Sequence, residues 1–376
     1  MMILEKPDPE ASPSMLKAPE ARFNNIDALR LILSLVVLFP HSFPLATGSE
    51  DHEPLIWFSK GQINLGGLAV DWFFVLSGFL ISQSWERSRT VWSFLKKRVY
   101  RIYPGYIVAA AVCIWVIVPL AGPEGFRVYS GRTVLENSWQ VLLLRGFTTP
   151  DAFLNNPAPR AVNGSLWTIT YEFWCYLGVV LLGLSTLLRR RGLVLGLFGA
   201  SVVISFVFEF FHLTPGGKLL GLIFGYPPFW ARLLPYYLAG VVAYQFREYF
   251  RPDRRLAALA LLGLALGALT PHGVLFTLPT LGTYLVLYLA FTNDWKWHNA
   301  AGRGDFSYGI YLYAFPIQQL IMFRLGRTVD PLVLFALAFV PTVLAGVLSW
   351  HLVERRFLKK SHAITVKPSH PAPVQA

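Results

Sequence analysis

Ten apolar runs, each near the length that crosses a lipid bilayer, follow one another along this chain. They fall at 27–46, 64–84, 102–121, 165–187, 193–211, 228–246, 256–270, 274–292, 307–323 and 331–353. A membrane-spanning helix needs about 20 apolar residues, fewer if it is tilted or broken. Lipid offers the backbone no hydrogen bonds, so an unbroken apolar run must satisfy its own, as a helix does. The expected fold is therefore all-α: a polytopic integral membrane bundle of about ten transmembrane helices. The two runs flanking Pro271-His272-Gly273 are the shortest. With 54% hydrophobic and 14% charged residues, the composition excludes an ordinary soluble domain. Polar, Pro-rich tails at 1–25 and 356–376 are expected to flank one membrane unit at 26–355. The first 25 residues lack the apolar core of a cleaved leader.

A net charge of +12 would suit nucleic acid, but its distribution argues for a membrane instead. An even number of spans puts both termini on one side. Placing them in the cytoplasm gathers there most of the 33 Lys and Arg residues, including Arg87 to Arg101, Arg189 to Arg191 and Arg247 to Arg255. That is the positive-inside pattern of an inner (plasma) membrane protein, and no nucleic-acid partner is expected. Cys113 and Cys175 lie in apolar runs and read as buried, inert thiols. No internal repeat, phosphate-binding glycine loop or metal-ligand spacing is visible, so no metal is expected.

Ionisable residues inside apolar runs are costly and mark functional sites. Arg30 and His41 share the run IDALRLILSLVVLFPHSF, eleven residues apart. Eleven helical residues turn about 1100° and rise about 16 Å, which puts both on one face at opposite ends of a helix. Pro40 predicts a kink or helix end beside His41, and imidazole is well matched to proton transfer near neutral pH. Asp71, in GGLAVDWFFVLSGFLIS, needs a partner or a polar cavity; the Ser77-Gly78 pair beside it reads as helix packing. Glu172 follows VNGSLWTITY, where Asn163 or Ser165 is expected to cap the span. Counting along each run places His41, Asp71 and Glu172 in one layer of the outer half. Structural roles stay open for both carboxylates. A second polar layer, on the cytoplasmic side, holds Asp27, Arg30, Arg98, Arg101, Ser307, Tyr308 and Tyr311. Asp27 and Arg30, three apart, could simply pair. Lys96 and Lys97 read as topology anchors.

These stretches, in this order, resemble the membrane acyltransferase-3 family: Arg30 and His41 with ten residues between them, the second-span acidic residue, the basic segment ending in Pro104, Asn-Gly-Ser-Leu-Trp-Thr before Glu172, Ser-Tyr-x-Ile-Tyr-Leu at 307–312, and Val353-Glu354-Arg355. The resemblance implies transfer of an acyl group, usually acetyl from acetyl-CoA, to a hydroxyl acceptor. Such acceptors include cell-envelope or exported glycans (lipopolysaccharide or exopolysaccharide) and small molecules. It implies His41 as general base, with Glu172 or Asp71 orienting the imidazole, and Arg30, Arg98, Arg101, Ser307 and Tyr308 around the acyl-CoA donor. Direct transfer and an acyl-histidine both stay open. Many relatives carry a histidine after Ser-Tyr-x-Ile-Tyr-Leu, where this chain has Tyr313-Ala314-Phe315-Pro316. The rival reading is a transporter or flippase for a glycan or lipid-linked precursor. A relative without catalysis is the third. The sequence leaves acceptor, acyl length and oligomeric state open.

Overall fold

A computed structural model describes residues 25–147, 152–214, 221, 224–292, 294, 304–326 and 328–358. Both tails, apart from the residues up to 358, lie outside the described residues. Among those described, the secondary structure is helical, with no strand. Among the described residues, seven helices are long and apolar enough to cross a membrane. They are α1 (Ile26–Thr47), α3 (Leu65–Arg87), α4 (Val91–Ala121), α6 (Trp167–Leu184), α7 (Arg191–Phe210), α10 (Gly273–Phe291) and α12 (Pro331–Leu358). The other three expected spans are helices as well: α8 (Pro227–Gln245), α9 (Arg254–Leu269) and α11 (Ser307–Leu325). By length and composition alone these three do not qualify, so the chain is an all-α polytopic membrane protein without the number ten being fixed. Two short helices, α2 (Pro54–Phe58) and α5 (Gly131–Leu142), sit in connections.

The centre of the bundle is formed where α3 packs on α8 and α1 packs on both α3 and α11. Small residues permit this. A methyl group added to Gly78 would lie 2.1 Å from the Tyr237 carbonyl oxygen, and one on Gly240 2.0 Å from that of Val75. The α3 and α8 backbones therefore touch. Outward-facing leucines on α7, α9 and α12, among them Leu195, Leu259 and Leu344, stay exposed. That is the surface lipid would cover.

Three local expectations need correction. Pro40 does not end α1, which continues to Thr47 with Pro40 and Pro44 inside it and stops at Gly48, whose φ is +83°. Each proline removes one i→i−4 donor, which frees the Val36 and Pro40 carbonyls in the turn before His41. The third span begins well before the expected 102, so the basic stretch 96–101 is helical. α4 starts at Val91, where Thr90 and Ser93 form a reciprocal cap. Asn163 and Ser165 do not cap α6. The Asn163 amide instead donates to the Leu312 carbonyl (2.9 Å), which ties this loop to α11.

Candidate active site

One continuous helix, α1, carries both Arg30 and His41. At the Arg30 end the anchor is Asp305, two residues before α11. Its Oδ2 accepts from Arg30 Nη1 (3.0 Å) and from Arg101 Nη2 of α4 (2.6 Å), and its Oδ1 accepts from Ser307. Burial alone would raise its pKa, but the two guanidinium groups outweigh burial and hold the carboxyl well below the usual range. Arg101 also lies 3.7 Å from Glu354, which is buried and held by Ser349 (2.8 Å). The Tyr308 hydroxyl donates to the Ile102 carbonyl (2.9 Å), beneath the Arg101 guanidinium. Arg98 donates to Ser84 (3.2 Å) and lies over the rings of Phe94 and Tyr176, and its buried Nε has no hydrogen-bond partner among the described residues. Arg30, Arg98, Arg101, Ser307 and Tyr308 thus do gather at one end. Asp27 is exposed, and Arg30 bonds Asp305.

A cavity of about 60 Å³ opens from Arg30 into the bundle, walled by Ser307, Tyr308 and Tyr311 and by Phe73, Ser77 and Glu172. Glu172 accepts from the Tyr176 hydroxyl and, at 3.4 Å, from Ser77. Ser77 therefore lines a cavity, while its neighbour Gly78 does the packing. Farther along, the Tyr311 hydroxyl reaches the Ser165 carbonyl and Thr168 (both 2.6 Å).

At the other end of α1 the His41 ring meets the Phe315 ring edge-on, with centroids 5.3 Å apart. Phe315 in turn presses on Gly164, where a methyl group would come within 2.6 Å of its ring. His41 Nδ1 is buried and has no hydrogen-bond partner among the described residues, and the same holds for Ser165 Oγ. Orphaned buried polar atoms are rare in proteins and suggest a role that a ligand completes.

Neither carboxylate touches His41. Glu172 bonds Tyr176 and Ser77, and Asp71 faces Arg232 of α8 at 3.5 Å. The reason is helical phase. Val70, Phe73, Phe74 and Ser77 share the face of α3 that lines the Glu172 cavity, whereas Asp71, one residue on, is turned by about 100° toward α8. Counting along each run gives no azimuth, and for Glu172 its depth is wrong as well: Glu172 shares a cavity with Arg30, Ser307 and Tyr308 rather than a layer with His41. The orienting role expected of Asp71 or Glu172 is absent from this arrangement.

Residues 23–351 match a family described as an acyltransferase domain. The chain belongs to the acyltransferase-3 family. It is 28% identical to an O-acetyl transferase of Shigella phage Sf6 over 90% of this chain and 97% of that one. It is 26% identical to nodulation protein 10 of Rhizobium leguminosarum bv. viciae over 89% and 93%. It is 30% identical to the acyltransferase MdmB of Streptomyces mycarofaciens over 31% and 33%. No solved structure matches. The chain is thus a membrane O-acyltransferase, which leaves no need for the transporter reading.

Within this acyltransferase the sequence reading missed two residues. Asp305, in GRGDFSYG, clasps both site arginines, and its only local signal is its place two residues before Ser307. Arg232 is a charge inside the apolar run PPFWARLLPYY. The cost of intramembrane charge, which singled out Arg30 and Asp71, applies equally to Arg232. In the 122–164 connection, α5 is an unforeseen helix with Leu135 and Trp139 exposed; Arg132 pairs with Glu136 on the same helix (2.8 Å).

Proposed function

We propose that the protein moves an acetyl or other acyl group from cytoplasmic acyl-CoA to a hydroxyl of a cell-envelope or exported glycan, with His41 as general base. The observation that carries this is the unpartnered, buried His41 Nδ1 on the same helix as Arg30. The charge bias of the connections assigns the Arg30 end to the cytoplasm and both termini to that side of the inner membrane. There Arg30, Arg98 and Arg101 offer donors to the donor's phosphates. A guanidinium has five N–H groups, and Asp305 occupies one on each of Arg30 and Arg101. Ser307 and Tyr308 flank the entrance of the cavity into which the thioester arm would extend.

His41 would take the proton from the acceptor hydroxyl as its oxygen attacks the thioester carbonyl. The C–S bond breaks, the oxygen keeps the acyl group, and the departing thiolate takes up a proton. Glu172 would act as a positioning residue, through Tyr176 and Ser77 on the cavity wall. Asp71 would act through Arg232.

The test uses membranes supplied with radiolabelled acetyl-CoA. His41→Ala should abolish label transfer to glycan. Arg98→Gln should chiefly raise the KM for acetyl-CoA. Undiminished transfer by His41→Ala would remove this mechanism. Transfer that ignores acetyl-CoA would remove the donor.

A further inference from the structure

A cavity of about 380 Å³ opens at the His41 end between α3, α7, α8 and α10. That lies within the range of about 300–1,000 Å³ typical of small-ligand sites. Asp71, only 1% exposed, forms its floor with Arg232, whose side chain is 39% exposed. Their 3.5 Å contact leaves most guanidinium donors unspent. Glu50 and Glu209 stand on the walls. Glu50 accepts from Asn64 (2.6 Å), and Glu209 is bonded to His272 (2.8 Å).

The first turn of α3 lies between this cleft and Pro40, the residue before His41. A methyl group on Gly66 would meet Pro40 at 3.1 Å, and one on Gly67 would meet Arg232 Nη2 at 2.8 Å. The Arg232 guanidinium also lies 6.0 Å from the Trp167 ring, at the start of α6. Arg232 therefore stands between the cleft and the helix that carries Glu172.

We infer that this cleft holds the acceptor, and that the sugar unit it takes carries no acid group; this rests on the acyl-transfer reading above. Three carboxylates, Asp71, Glu50 and Glu209, line the cleft with one guanidinium, so an anionic ligand meets like charge. A polyhydroxylated ring does not. Its hydroxyls donate to carboxylate oxygens and accept from Arg232, and the Phe208 side chain supplies an apolar wall. Arg232 is thereby a specificity residue for the acceptor.

The experiment places a single reactive thiol in the cleft, Ser205→Cys, in the His41→Ala background in proteoliposomes. Cys113 and Cys175 are buried, so a charged maleimide reports the new thiol. Phe208→Cys provides a second position should the first not fold. The probe is deacylated surface glycan from cells lacking the gene. It should slow labelling several-fold, and Arg232→Gln should remove that protection. Glu50→Gln and Glu209→Gln should weaken it. Labelling unaffected by glycan overturns the site, whether or not the enzyme transfers acetyl. Protection strengthened by the Glu→Gln changes overturns the uncharged-sugar assignment. Protection without acetyl transfer by the protein with His41 intact sinks the transfer reading and leaves the cleft as a glycan site.

Discussion

Asp305 joins two arginines from helices far apart in sequence, and its value depends on charge. Its folded-state pKa is depressed by Arg101 and Arg30. A carboxylate of that kind stabilises the fold above its unfolded pKa and loses the contribution as pH falls toward the folded value. Asp305→Asn should lower thermal stability at neutral pH by about 3–5 kcal/mol, since it leaves two guanidiniums facing each other without their counter-charge. The gap between the two proteins should be full at pH 7 and narrow below about pH 4, where an unfolded carboxyl protonates. Melting in detergent across pH reads this directly; a gap that widens on acidification would contradict the ion-pair account. Residue-level reading of the sequence found Arg30 because charge in an apolar run is conspicuous, and Arg98 and Arg101 because they stand in a basic segment just before one. It could not find the common partner of Arg30 and Arg101. Asp305 lies outside every run, and nothing local ties it to α1 or α4.

Between elements, the decisive contact is the crossing of α3 and α8. Gly78→Ala and Gly240→Ala each push a methyl group into an opposing backbone. Overpacking of this kind costs about 1–3 kcal/mol. Each change should lower the melting temperature in detergent. Gly178→Ala on α6, where a methyl group meets nothing within 4 Å, should be neutral or stabilising by up to about 1 kcal/mol. Equal losses at all three positions would deny the close approach. Apolar length in the sequence placed the helices well, since a bilayer-length run has few alternatives. It placed their faces poorly. Asp71 and Ser77 sit on one helix, yet one faces Arg232 and the other Glu172. That division depends on neighbours the run cannot name. The start of α4 at Val91 was hidden for another reason: Lys96, Lys97 and Arg98 read as a loop by polarity, while the Thr90 cap makes them helical.

Across the whole molecule, polarity divides into two ends joined by α1. The Arg30 end is basic and clasped by Asp305, and the His41 end opens toward the acidic cleft. On the orientation proposed, reporters fused after Arg190 and after Arg251 should be active in the cytoplasm. One fused within Gly131–Leu142 should be active outside. The reverse pattern would invert donor and acceptor sides. The spacing of Arg30 and His41 in one apolar run made the two ends of α1 legible in the sequence. The cleft proposed for the acceptor was not, because its walls come from α2, α3, α7, α8, α10 and the connections between them, which no single motif joins.

The most direct test compares, by mass spectrometry, the surface glycans of cells carrying the intact gene, a deletion, or His41→Ala. The account predicts an acetyl increment on the glycan only with the intact gene, and its position names the modified sugar. An identical increment in the His41→Ala cells would contradict transfer through His41. Unchanged acetylation with altered glycan export would contradict acyl transfer to the glycan itself.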